Sequence, residues 1–306
     1  MTAAGWRVEP FQYGPLKKSL LVENKERYVM KILELADKIR FPKMSTDELR
    51  ETFLVQHLFQ PDVLEMVYVD LDRTVVGSAV PVRNRLRLET APELRSTYFL
   101  ERRELGVLNI GAGKGVVSVG DREYELAPRD CLYIGRGNES VTFASRDSAA
   151  PAEFYLLSYP AHASYPTGLS TYATLAALQL GSPISVNRRE IRKHIWQGGV
   201  ASCQLVMGVT QLSEGSAWNT MPPHTHMRRS EVYLYFDLPE DERVLHLMGP
   251  PNETRHLVVK NKQIAISPGW SIHAGAGTHS YAFCWGMGGE NQAYDDMDPV
   301  KIADLR

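Results

Sequence analysis

From residue 63 onward the chain is written in short apolar runs cut by Gly, Pro, Asn and Asp. One set comprises Leu64–Val69, Thr74–Val80, Gly106–Ile110, Val116–Val119, Cys131–Ile134, Val141–Ala144 and Phe154–Ser158. A second comprises Cys203–Gln211, Glu231–Phe236, Val244–Met248, His256–Val259, Gln263–Ser267 and Tyr281–Met287. Short runs rich in Val, Ile, Leu and Tyr with turn residues between them predict strands, and so many of them predict an all-β barrel or sandwich. The Pro-, Ser- and Thr-containing stretch from Tyr165 to Ser185 reads as the connection between two lobes. Helical signals are confined to the N-terminal part. Val29, Ile32, Leu33, Ala36 and Ile39 recur at steps of three and four and Pro42 closes the segment, which predicts a helix over 20–41. Ser45-Thr46-Asp47-Glu48 is a capping-box signature for a second, short helix running toward His57. The expected organisation is a helical extension over 1–60, a first lobe over 61–165 and a second over 166–306.

Bulk properties exclude several classes of function. The 34 basic and 36 acidic residues leave a net charge of −2, so there is no basic surplus to attract nucleic acid or an anionic membrane. No apolar run approaches the roughly 20 residues needed to cross a bilayer, and Met1–Arg7 lacks an apolar signal core. Cys131, Cys203 and Cys284 are odd in number, far apart and mostly inside apolar runs. They read as reduced thiols of a cytoplasmic protein, without metal-ligand spacing.

The chemistry-bearing stretch is Pro222-Pro223-His224-Thr225-His226-Met227-Arg228-Arg229-Ser230-Glu231, answered by Ser267-Pro268-Gly269-Trp270-Ser271-Ile272-His273. On extended backbone His224 and His226 point to one face. Glu231 opens a strand-like run, and His273 follows a Pro-Gly turn. Three imidazole nitrogens and a carboxylate oxygen suit a borderline divalent ion such as zinc, with positions left for water or substrate. Ordinary core or surface histidines are the alternative, which a lone pair would favour and this larger constellation does not.

His-x-His, four residues, then Glu, with a later Pro-x-x-x-x-His, resembles the two sequence motifs of the cupin superfamily. Trp270 stands where the second motif usually has Gly, so the turn must be built differently, with Gly269 taking the positive φ. The two strand sets also read as a degenerate repeat. Glu104–Ile110 can be laid on Glu231–Asp237, and Tyr133–Ser140 on Ile266–His273. The histidine places then fall on Thr97, Phe99 and Ser140, and Glu104 alone keeps a ligand-type side chain, so the first lobe is expected to hold no metal.

Longer runs narrow the field. Tyr98–Gly106, Trp218–Pro222, Glu253–His256, Gly288–Gln292 and Asp295–Asp298 resemble the 5-keto-4-deoxyuronate isomerase family, from about residue 47 to the C-terminus. The resemblance implies two tandem cupin lobes of the double-stranded β-helix, or jelly-roll, type behind a short N-terminal helical extension. It implies one zinc ion per chain, held by His224, His226, Glu231 and His273. It further implies a cytoplasmic homohexamer, and a ketol isomerase that interconverts 5-dehydro-4-deoxy-D-glucuronate and 3-deoxy-D-glycero-2,5-hexodiulosonate in pectin and polyuronide breakdown. An iron-dependent cupin dioxygenase and a non-catalytic sugar-acid-binding bicupin are the alternatives, since the same ligands can hold Fe(II).

The group that moves the proton is left open. Tyr233 and Tyr235 share the face of Glu231, and His246, His256 and Glu290, the last in a Gly-flanked loop with Gln292, are further candidates. Each has a structural alternative: barrel filling for the tyrosines, packing for the histidines, a turn cap for Glu290. An anionic substrate calls for a cation, and a guanidinium offers a carboxylate two parallel donors. Arg228, Arg229 and Arg255 lie nearest the motifs, with Arg102-Arg103 and Arg188-Arg189 as adjacent pairs elsewhere.

Overall fold

The computed structural model describes residues 30–306. Ser45 opens the helix Thr46–Phe53: its hydroxyl accepts the Glu48 N–H at 3.2 Å, and the Glu48 carboxylate accepts the Ser45 N–H at 2.7 Å. This is the capping box expected from the sequence. The helix buries Leu49 and Phe53 and stops at Phe53, short of His57.

The helix expected over 20–41 is not formed where the chain is described; residues 20–29 lie outside the described residues. Lys31–Leu33 is a strand, parallel to Leu64–Val69, followed by a turn and a single 3-10 turn at Phe41–Lys43. Asp37 Oδ1 accepts the N–H groups of Ile39 and Arg40 and so closes the turn. Met30 and Leu33 are buried whereas Ile32 and Ile39 are exposed, so pairing with a sheet edge overrode the helical spacing.

The strands form the same arrangement twice. In the first lobe the seven-stranded sheet runs, in spatial order, Lys31–Leu33, Leu64–Val69, Thr74–Ala79, Phe154–Pro160, Arg103–Asn109, Cys131–Ile134, Gly168–Ser170. Its partner sheet runs Leu86–Arg87, Val141–Ser145, Gly115–Val119, Arg122–Leu126. In the second lobe the corresponding orders are Leu178–Leu180, Arg189–Ile195, Val206–Leu212, Ala282–Gly289, Arg229–Phe236, Ile264–Ser267, Leu54–Val55, and Trp218–Asn219, Ile272–Gly277, Val244–Gly249, Arg255–Val259. The architecture is the all-β pair of cupin barrels. No helix among the described residues is long and apolar enough to cross a membrane.

One edge strand crosses between the repeats and another folds back within its own. Leu54–Val55, which precedes the first lobe in sequence, pairs with Ile264–Ser267 in the second. Gly168–Ser170 follows the first lobe's last long strand and pairs back onto Cys131–Ile134. Both cover what would otherwise be an open sheet edge.

Side-chain alternation divides the apolar residues among three cores. Leu105, Val107, Leu132, Phe143 and Leu156 fill the first barrel. Tyr233, Tyr235, Val244, Met248, Phe283 and Trp285 fill the second. The intervening residues, among them Leu108, Tyr133, Tyr155, Met207, Val232, Leu234 and Cys284, meet in a core between the two large sheets. Strands buried on both faces read as continuous apolar runs, and both Arg103–Asn109 and Arg229–Phe236 are buried throughout.

This division corrects the repeat alignment. Leu105 pairs with Ile134 in the first lobe as Glu231 pairs with Ser267 in the second, and both point into their barrels. Leu105, not Glu104, is therefore the counterpart of Glu231. By the same logic Val141, opposite Val119, takes the place of His273, opposite Met248, rather than Ser140. A one-residue shift along a strand turns a side chain to the other face. Glu104 accordingly faces the inter-lobe core, where its carboxylate accepts the N–H groups of Cys203, Gln204 and Leu205 and the hydroxyl of Tyr133 at 2.7–2.8 Å.

Trp270 also finds its explanation. Its ring meets Phe41 and Phe53 edge-on, with centroids 5.3 and 6.4 Å apart. The N-terminal segment thus seals the turn where the usual motif has glycine.

Candidate metal centre

Three elements bring the four predicted ligands together. His224 lies in a short strand, His224–Thr225, paired with Asp298–Pro299. Glu231 points inward from Arg229–Phe236, and His273 from Ile272–Gly277. His226 sits in the loop between His224 and Glu231, held against the Pro268–Gly269 turn by its N–H bond to Gly269 O at 3.2 Å. Gly269 is needed for this approach, since a Cβ there would lie 2.5 Å from the His226 carbonyl oxygen. It does not take the positive φ expected of it.

The ligand-capable atoms of His224, His226, Glu231 and His273 all lie within 4.8 Å of one another. His224 Nε2 is 3.1 Å from His226 Nε2 and 2.9 Å from His273 Nε2. Glu231 Oε2 is 2.8 Å from His226 Nε2 and 2.9 Å from His273 Nε2. Donors about 2.1 Å from one ion and at right angles to each other lie about 3.0 Å apart. The outer nitrogens set the tautomers: His226 Nδ1 donates to the Asp296 carbonyl oxygen at 2.9 Å, and His273 Nδ1 lies 3.2 Å from the Ser267 hydroxyl. With its proton on Nδ1, His226 turns a lone pair inward. Burial, reinforced by His273, pushes His224 down to about 2, so its ring is neutral at physiological pH. Burial alone would raise Glu231, but His273 and His226 reverse that and hold it well below the usual carboxylate range. Converging lone pairs around a buried carboxylate fit a divalent cation. Among the described residues no other group of three or more His, Cys, Asp or Glu converges in this way.

His224, His226 and Glu231 line a cavity of about 260 Å³, and the buried His273 completes the cluster beside it. The cavity walls include Arg189, Thr210, Thr220, Tyr233, Trp285, Tyr294 and Met297. Tyr233 Oη lies 3.3 Å from Thr220 Oγ1. Burial raises the phenols of Tyr233 and Tyr294, the latter to about 12, so both are protonated at neutral pH.

The other predicted candidates lie elsewhere. Tyr235 sits deeper in the barrel, bonded to His246 Nδ1 at 2.8 Å. His246 is wholly buried and its Nε2 has no partner. His256 and Glu290 are exposed and off the cavity wall, because strand alternation turns His256 outward and Glu290 lies beyond the last long strand. Arg228 pairs with Asp296 and Asp298. Arg229 donates to the carbonyl oxygens of Ala293, Tyr294 and Asp296, and Arg255 to that of Met44 at 3.1 Å. None of these three arginines lines the cavity, so none is the free cation expected. Arg189 does line the cavity. The reading of the sequence began the second strand set at Cys203 and so missed Arg189–Ile195; Arg189 and Ile191, two apart on that strand, both line the cavity.

Comparison with known proteins gives the arrangement its context. The model of the KduI/IolB family matches residues 53–302. A 4-deoxy-L-threo-5-hexosulose-uronate ketol-isomerase of Lachnoclostridium phytofermentans is 53% identical over 262 residues, covering 86% of this chain and 95% of that one. Among solved structures, an IolB-like protein of Salmonella typhimurium LT2 aligns with TM-score 0.65 at 13% identity, covering 81% of this chain and 96% of that one. An oxalate decarboxylase of Lactobacillus farciminis, in complex with formate, aligns with TM-score 0.56 at 8% identity, covering 82% and 88%. At such identities these two likenesses concern the fold alone. The chain belongs to the KduI/IolB family, among its 4-deoxy-L-threo-5-hexosulose-uronate ketol-isomerases.

Proposed function

We propose that this protein is a zinc-dependent ketol isomerase that interconverts 5-dehydro-4-deoxy-D-glucuronate and 3-deoxy-D-glycero-2,5-hexodiulosonate in the breakdown of pectin and related polyuronides. His224, His226, Glu231 and His273 would hold one ion per chain, and the first lobe none. The observation that carries this reading is the convergence of three imidazole nitrogens and one carboxylate oxygen beside a cavity of about 260 Å³ that His224, His226 and Glu231 line. The names and high identity of the relatives support the reaction. We further read the chain as a cytoplasmic homohexamer, with its lobes joined near residue 165.

A ketol isomerisation removes a C–H proton beside a carbonyl and returns it to the neighbouring carbon. When bound, a divalent ion would polarise the carbonyl and hydroxyl oxygens of the α-hydroxy aldehyde or ketone and make that proton more acidic. The chain's own residues do the rest of the positioning. Tyr233 and Tyr294, protonated at neutral pH, can donate hydrogen bonds to substrate oxygens from the wall. Trp285, Phe283 and Met287 present apolar surface that limits water around the reacting carbons. The same four ligands could hold Fe(II), and it is the names of the relatives that favour the isomerase over the dioxygenase and the non-catalytic reading.

The test is turnover of the keto-uronate by purified protein before and after chelation. Activity should vanish with chelator, return with zinc, and in D₂O place deuterium on the carbon that receives the proton. A metal-loaded protein that gives no turnover of this substrate contradicts the proposal.

A further inference from the structure

Arg189 is the only cationic side chain among the described residues lining the cavity. Its strand, Arg189–Ile195, lies between Leu178–Leu180 and Val206–Leu212, and the residue is half-buried. The guanidinium uses one donor internally, Nη1 to the carbonyl oxygen of Asn187 at 2.9 Å. No carboxylate of a described residue lies within ion-pair distance of it. Its charged neighbours differ in this: Arg192 pairs with Glu190, and Arg228 with Asp296 and Asp298. A guanidinium cannot shed its proton here, and a partly desolvated charge without a partner is costly. The unspent donors therefore call for an anion, and a carboxylate matches their fork with two parallel hydrogen bonds.

We propose that Arg189 binds the substrate's carboxylate while the reacting end lies over the four ligands, and that it thereby restricts the site to hydroxy-keto acids over neutral keto sugars. The inference rests on the isomerase reading for the acidity of the substrate. It departs from the sequence-based choice of Arg228, Arg229 and Arg255, which the fold employs elsewhere.

Calorimetry on the full-length protein as purified, titrated with D-galacturonate and with D-galactose, separates the acid from the neutral sugar without requiring turnover. The wild type should bind the acid at least about 10-fold more tightly. Arg189→Gln should lose that preference, with a fall of roughly 10- to 100-fold for the acid and little change for galactose; Arg189→Lys should keep part of it. On the keto-uronate, Arg189→Gln should raise KM more than it lowers kcat. Unchanged metal content and melting temperature in the lysine variant identify a local effect. Arg189→Gln that keeps the wild-type preference for galacturonate overturns the proposal, as does a wild type that shows none. Absence of keto-uronate turnover in the wild type would contradict the isomerase reading instead, and the two sugars would still decide the role of Arg189.

Discussion

His226 Nδ1 lies 2.9 Å from the carbonyl oxygen of Asp296, 70 residues further along the chain. That contact fixes the ring of one ligand from a loop outside the barrel. The loop is itself pinned, since Arg229 donates to the carbonyls of Ala293, Tyr294 and Asp296 and Arg228 grips the Asp296 and Asp298 carboxylates. The same segment carries Tyr294 and Met297 into the cavity wall.

Arg229→Ala should therefore weaken metal binding by about 10- to 100-fold although all four ligands remain. Competition with a chelator of known affinity measures this. Arg228→Ala, whose ion pairs are more exposed, should have the smaller effect. Wild-type metal affinity in Arg229→Ala would show that the loop does not position His226.

Glu104 is fully buried and accepts three backbone N–H groups from the segment between the second lobe's strands Arg189–Ile195 and Val206–Leu212. Glu104→Gln keeps the volume but removes the charge and turns a donor toward those N–H groups. The expected loss is about 2–4 kcal/mol, read from urea unfolding. A midpoint equal to the wild type's would remove Glu104 from the account of how the lobes are joined.

The strand pattern was legible because runs buried on both faces are apolar throughout, and the convergence of His224, His226, Glu231 and His273 because their spacing is tight and their chemistry distinctive. What escaped the sequence depended on which face a side chain takes. Glu104 and Leu105 are neighbours with opposite fates, and no local signal says which one enters the barrel. Arg228 and Arg229 sit beside the ligands in sequence yet serve backbone carbonyls and the carboxylates of a distant loop. Arg189, remote in sequence, reaches the cavity because its strand lies two places from Ala282–Gly289 in the sheet. The helix over 20–41 failed in its described part because Lys31–Leu33 found a sheet edge, which its apolar spacing does not reveal.

Burial pushes the thiols of Cys131 and Cys284 up, and both are inaccessible, whereas Cys203 is half-buried. The native protein should therefore give at most one thiol per chain to an aromatic disulfide reagent at pH 8, and three after denaturation. Cys203→Ser should abolish the native reaction. Rapid release from all three in the folded protein would contradict the inter-lobe packing described above.

The central claim is that one lobe holds a single Lewis-acid ion for isomerisation while the other holds none. Elemental analysis of the purified enzyme, paired with a keto-uronate assay under strict anaerobiosis, tests it most directly. The account predicts one zinc ion per chain, lost together with activity in a His224→Ala, His226→Ala double variant, and undiminished turnover without oxygen. Two tightly bound ions per chain, stoichiometric metal in the double variant, or activity that disappears when oxygen is removed from the zinc-loaded enzyme would contradict it.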